Sequence, residues 1–311
     1  MLVAIPTLIG VSILIFIAMR VIPGDPLAMI GAQGQSTLVL SSEEKAAARK
    51  SLGLDKPLYR QYLNWMGDVG RGDFGHSFWS QEPIRKQILR RGPITAEIAI
   101  LAVVISWLMG VPVGLLSALR RNTVFDHMAR VGITLFMAIP SFWLGMIIVL
   151  VSVRAFVWRP PLAITQIWEQ PAVNAQIVIG PAVALGVGLA AVIARMTRST
   201  ALDVLGEDYV RTARAKGLGG RKFFLPHVFR NTLLPVITTS GVAIGGLLGG
   251  TVATETAFGV PGLGSLLVQS INQRDWVMIQ NLVLLYAAIF IAINLLVDIS
   301  YALIDPRIRF G

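Results

Sequence analysis

The sequence predicts an all-α polytopic membrane protein, on three observations. Of its 311 residues, 54% are hydrophobic and only 14% charged, where soluble domains carry about a quarter. Six stretches reach the roughly 20 apolar residues that a helix needs to cross a hydrocarbon core. The Lys and Arg residues of the short connections gather in alternate loops, as they do on the cytoplasmic side of membrane proteins. The same bias explains the net charge of +10, so no nucleic-acid partner is expected. The chain has no cysteine, which excludes disulfides and thiolate metal sites within it.

The first span is 2–22. It begins almost at Met1, with no basic residues ahead of it and no small-residue cleavage site behind it. It therefore reads as a retained span and not a signal peptide, and the missing basic flank suggests a natural start further upstream. Residues 23–93 follow as an extracytoplasmic helical cap resting on the outer membrane face. Ser41 and Glu44 have capping-box spacing and open a helix that Gly53 ends. "PLYRQYLNWMGDV" then puts Leu58, Tyr62, Trp65 and Met66 near one face of another.

The second span is 95–119, followed by a loop with Arg120, Arg121 and Arg130. The third, 128–157, is over-long and carries Arg154 near its end, so its last turn leaves the lipid. Pro140 in "MAIPSFWLG" removes a backbone donor and should kink or loosen this span. Kinked spans often line pathways, which makes Pro140, Ser141, Phe142 and Trp143 candidates for the translocation route. The fourth span is 177–196, with Arg195 snorkelling to the inner surface. Its following loop, 197–231, holds Arg198, Arg211, Arg214, Lys216, Arg221, Lys222 and Arg230.

The fifth span is 232–253. Gly241, Gly245 and Gly249 fall four apart there, as do Gly246 and Gly250. Such ridges let backbones approach closely, either within this bundle or against a second membrane subunit. Glu255 stands where this span emerges, before "FGVPGLG", whose Pro and Gly residues predict a tight turn into a short outer helix. The sixth span, 278–303, sets Asn294 and Asp298 on one face. Charged residues in spans are functional suspects, but Asp298 is about two turns from Asp305 and a structural pair with an Arg of the inner side suits it better. Arg307 and Arg309 follow. The other side's short loops hold only Arg159 and Arg274. The excess puts the 120–130 loop, the 197–231 loop and the C-terminus in the cytoplasm, and six spans put the N-terminus there too. Residues 94–311 thus form a five-helix core with an inner loop at 197–231.

That loop contains a second kind of segment. Gly206 ends what precedes it, Asp208 can cap a short helix through Lys216, and Gly217, Gly219 and Gly220 stop that helix. "RKFFLPHVF" supplies a further short element. Tyr209 aligns with Ala213, and Val210 with Lys216 and Gly217, leaving one small apolar side while Arg211 and Arg214 project elsewhere. Such a helix suits insertion into a groove on another protein or docking to anionic lipid, and periodicity does not choose between them.

The stretch "RMTRSTALDVLGEDYVRTARAKGLGGRKFFLPHVFRNTLLP" resembles the coupling-loop signature of ABC importer permeases, in the branch that imports dipeptides, oligopeptides, glutathione and nickel chelates. "IPTLIGVSILIF", "VIPGDPL", "GDFGHSFWS", "MAIPSFWLG", "TETAFGVPGLGSLL" and "NLLVDISYALIDPRIRFG" agree, so the resemblance covers nearly the whole chain. It implies a coupling helix docked in a cleft of an ATPase subunit, with Asp208, Tyr209, Arg211, Thr212, Ala213, Arg214 and Gly217 as the coupling residues. Arg211-Thr212-Ala213 stands where the general importer motif has Glu-Ala-Ala, and Gly217 where it has its glycine. The implied partners are a second homologous permease, two ATPase subunits or domains, an extracytoplasmic solute-binding protein, a peptide or similar small solute, and the lipid of a prokaryotic inner membrane.

No P-loop is found: the nearest candidate, Gly217 to Lys222, lacks both the spacing and the following Ser or Thr. ATP and Mg are therefore expected on the partner ATPases, and this chain is expected to need no cofactor of its own. His76, His127 and His227 show no metal-like spacing. A stand-alone secondary transporter is the alternative reading, but such proteins show internal repeats and midplane charges. Here no convincing repeat is seen and Asp298 is off-centre. A membrane scaffold or sensor is a third reading.

Overall fold

The computed structural model describes residues 4–21, 55–217 and 220–304. Every named element among the described residues is helical. They are α1 (Ala4–Val21), α2 (Leu58–Gly70), α3 (Ile84–Leu119), α4 (Val124–Ala138), α5 (Ser141–Phe156), α6 (Pro171–Gly206), α7 (Asp208–Ala215), α8 (Gly220–Phe223), a π-helix (Phe224–Phe229), α9 (Arg230–Phe258), α10 (Leu263–Asn272) and α11 (Trp276–Ile304). Among the described residues four helices are long and apolar enough to cross a membrane, or up to six if each of two bent pairs is one span. The residues fall into two compact units, Met1–Gly92 with Ser265–Ile291 and Pro93–Gly264 with Ala292–Gly311.

In the first unit α1 meets α2 through aromatic rings. Phe16 stands edge-on to Tyr62 at 5.3 Å and stacks on Trp65 at 6.1 Å between centroids, and the hydroxyls of Ser12 and Tyr62 share a hydrogen bond of 2.8 Å. Leu58, expected on the same face, lines an open groove with Ile13, Phe16 and Ile17 of α1 and stays exposed. Asp275 caps α11 by accepting from the Met278 amide at 3.1 Å and from the Ser77 hydroxyl at 2.5 Å. Residues 23–54 of the expected cap, the Ser41–Glu44 capping box included, lie outside the described residues.

The second unit is built around α6. Two thirds of its spanning window is buried, against 39% for α3 and 17% for α1, so α6 is an inner helix. Small residues bring α3 against it. A β-carbon on Gly110 or Gly114 would lie 2.7 or 2.5 Å from the carbonyl oxygen of Ala190 or Ala194, a backbone approach only glycine permits. The core then runs through Ile94, Ile98, Leu185, Leu189, Ile193 and Val236 to Phe258.

Three sequence expectations are corrected. The third span is not one kinked helix: α4 and α5 meet at 98°, with Ile139 and Pro140 extended between them. Pro140 has no amide to continue α4 and disfavours helical geometry at Ile139, and here it stands as the N-cap of α5. The helix of the fourth span does not end with it, since α6 continues ten residues past Met196 to Gly206. α3 begins at Ile84 and carries Pro93 and Pro112 inside it.

Candidate functional site

A single residue, Glu207, separates α6 from α7, and its extended backbone (ψ of 145°) turns the chain there. Glu207 takes the N-cap position without a side-chain hydrogen bond. Asp208, expected to cap, is instead the first helical residue, and its carboxylate pairs with Arg211 at 3.5 Å while its carbonyl accepts from the Thr212 hydroxyl at 2.9 Å. The helix stops one residue sooner than expected, at Ala215, because Gly217 turns the chain with φ of +78°.

From there the chain folds back. Val210 and Ala213, three apart on α7, are buried with Phe223 and Val228, and Val204, Leu205 and Phe224 pack around them. The Arg214 guanidinium lies 5.1 Å from the centre of the Phe223 ring, within cation–π range. The Tyr209 hydroxyl donates to the His227 carbonyl at 3.3 Å and accepts from the Asn231 amide at 2.8 Å. The return strand of this hairpin is the π-helix, where Pro226 withholds an amide and the wider turn takes up the mismatch.

The hairpin leaves one face open. Asp208, Arg211, Thr212 and Ala215 are all exposed, and their i, i+3, i+4, i+7 spacing lines them along one side of α7. The seven residues assigned to coupling therefore divide. Asp208, Arg211 and Thr212 present outward; Ala213 turns its methyl into the hairpin; Tyr209 and Arg214 are exposed but brace the returning segment. Gly217 meets nothing within 4 Å of where a β-carbon would be, so its requirement is conformational. The side chains of Arg221 and Lys222 lie outside the described residues.

The other candidates are placed as follows. Pro140, Phe142 and Trp143 are exposed at the α4–α5 break, and Ser141 is half-buried beside Gly250 of α9. The glycine ridge of α9 splits. Gly241 is pressed against Val297 of α11, while Gly246 and Gly249 are exposed with nothing within 4 Å, and Gly245 is buried. Asn294 is half-buried in α11, and the side chain of Asp298 lies outside the described residues. The turn after α9 forms as expected, with Gly259 at φ of +68° leading to α10. There the buried Glu255 carboxylate accepts from the Thr95 hydroxyl at 2.7 Å, and that hydroxyl accepts from the Leu263 amide at 2.8 Å.

Sequence reasoning missed one polar centre. Asp126, in the first turn of α4, is fully buried and is gripped by Arg198 of α6 at 2.8 and 3.0 Å. Each residue alone reads as an ordinary loop charge, and nothing in their 72-residue separation pairs them.

A family model described as "Binding-protein-dependent transport system inner membrane component" matches residues 110–310, and its N-terminal companion matches residues 1–99. The chain is 40% identical to "Dipeptide transport system permease protein DppB" of Escherichia coli K12 over 98% of this chain and 96% of that one. It is 37% identical to "Di/tripeptide transport system permease protein DppB" of Pseudomonas aeruginosa over the same shares. It is 38% identical to "Glutathione transport system permease protein GsiC" of Escherichia coli K12, again over 98% and 96%. Among solved structures, an amino acid ABC transporter crystallised with histidines superposes with a TM-score of 0.50 at 17% identity, over 69% of this chain and 90% of that one.

Proposed function

The chain belongs to the binding-protein-dependent transport system inner-membrane components, and from that premise we propose that this ABC importer permease carries short peptides inward. The observation that carries the mechanism is the open face of α7, joined to the inner helix α6 through the single residue Glu207. A helix of eight residues held by its own hairpin presents Asp208, Arg211 and Thr212 as a unit, which is what a docking element for another protein requires.

In this reading each permease forms half of the pathway with a homologous partner. Two ATPase subunits or domains bind ATP and Mg, and a solute-binding protein delivers substrate on the outer side. The loops at 120–130 and 197–231 and both termini face the cytoplasm. Nucleotide shifts the conformation only through its different affinity for two states of the ATPase pair. The movement reaches this chain at α7, tilts α6, and repacks α9 and the α4–α5 break, where Ser141, Phe142 and Trp143 line the route. Peptides are favoured because relatives at 37–40% identity carry dipeptide and di/tripeptide names. This chain does no hydrolysis of its own.

The test is reconstitution in proteoliposomes with the partner permease, ATPases and binding protein. Peptide uptake should require ATP and survive ionophores. Uptake that ignores ATP and collapses with the ion gradient would support a secondary transporter.

A further inference from the structure

We propose that Asp126 is a positioning residue for transport, tying α4 and the broken span behind it to the helix that carries α7. The proposal rests on the permease reading above. One carboxylate joins four pieces of chain. Its Oδ1 accepts from the Ser117 hydroxyl of α3 at 2.6 Å and from Arg198 Nε of α6 at 2.8 Å. Its Oδ2 accepts from Arg198 Nη2 at 3.0 Å and from the Asn122 amide of the α3–α4 turn at 3.1 Å. Arg130, one turn along α4, adds its Nε 3.7 Å away, and Arg198 Nε also reaches the Ser117 hydroxyl at 3.0 Å.

The three helices do not depend on this centre equally. α3 is held to α6 by the glycine contacts at Gly110 and Gly114, which need no charge. α4 packs on α6 through few side chains: its buried residues are Asp126 and Ile133, and Ile133 sits with Ala191 and Ala194, flanked by Met137 and Val113, apolar contacts that carry no direction of their own. Its opposite side, Val124, Met128, Val131 and Leu135, is exposed. The directional bonds of Asp126 therefore fix where α4 starts and how it is turned. Ala138 ends α4 and the 98° break to α5 follows, so the same bonds aim Ser141, Phe142 and Trp143.

Arg198 is placed to transmit. It lies eight residues before Gly206 on an unbroken helix, about 12 Å from the base of α7. A tilt of α6 driven at α7 moves the guanidinium, and the bidentate pair hands that displacement to α4. A buried ion pair is poor evidence for stability, because apolar residues of like size often do as well. What charges add is a fixed mutual orientation of the two groups.

The test uses the assembled complex with its permease, ATPase and binding-protein partners in proteoliposomes. ATP hydrolysis and dipeptide uptake are both measured per assembled complex. D126N keeps the side-chain size and loses the charge; R198K keeps the charge and loses the fork; S117A removes one bond. D126N and R198K should raise the ATP consumed per peptide by on the order of tenfold, with S117A shifting it less in the same direction. If D126N does not assemble, R198K and S117A decide. Uptake that falls only with the amount of assembled complex, at an unchanged ratio in every assembling variant, overturns the proposal. A wild-type complex that hydrolyses ATP but imports no peptide overturns the peptide reading above, so the two failures are distinct.

Discussion

The side-chain amide of Asn231 donates to the hydroxyl of Tyr209 at 2.8 Å, latching the second residue of α9 to the second residue of α7. That hydroxyl also holds the His227 carbonyl, so a single phenol closes the open end of the hairpin. Tyr209→Phe should loosen the hairpin by about 1 kcal/mol, the net worth of such bonds. Amide hydrogen exchange over 208–229 should quicken, with membrane insertion unchanged. Unaltered exchange would show that the apolar contacts alone hold this element.

Ala213 and Arg211 separate packing from docking. Ala213→Leu forces extra atoms between Phe223 and Val228 and should cost about 1–3 kcal/mol of hairpin stability. Arg211→Ala removes an exposed group and should leave stability within about 0.5 kcal/mol. Transport should fall in both, but thermal unfolding should shift only in the first. An Arg211→Ala variant with wild-type transport would remove Arg211 from the docking face.

Gly217 makes a related case. Its φ of +78° lies where a side chain is strained even though space is free, so Gly217→Ala should cost about 1–2 kcal/mol. Circular dichroism of a peptide spanning 204–231 in micelles should show the loss, and a normal spectrum would mean the turn relaxes to another conformation.

Phe258 occupies a slot between two glycines. A β-carbon on Gly145 would lie 2.7 Å from one edge of its ring, and one on Gly180 would lie 2.6 Å from the other. Gly180→Ala should therefore be strongly destabilising in the wild type and nearly neutral beside Phe258→Ala, which alone should cost about 3–5 kcal/mol. Unfolding of the four-variant cycle in detergent measures this coupling. Additive losses would mean that the ring moves aside freely.

Much of this architecture could be read from the sequence, and the exceptions have definite causes. Five apolar runs became helices near their expected places because hydropathy over some 20 residues is a strong signal. The run around Pro140 misled, since composition continues across a break that backbone sterics impose. The end of α6 is hidden for another reason: hydropathy marks where an apolar run stops near Arg195, but a helix can continue as polar turns to Gly206. α7 was legible from Gly206, Gly217 and the apolar pair Val210 and Ala213. Which way Ala213 points was not, because Phe223 and Val228 cover it only after the chain folds back. Asp126 was invisible for the same reason: its partner arrives from a distant helix.

The central claim is that the outward face of α7 meets the ATPase. Because the chain lacks cysteine, Arg211→Cys introduces a unique thiol, and a short bifunctional crosslinker can be applied to the native complex in membranes. The expected result is a covalent adduct between this permease and the ATPase subunit, changed in yield by ATP, and protection of the thiol from impermeant reagents added outside. A thiol labelled from outside, or one that forms no ATPase adduct while the complex still transports, would contradict it.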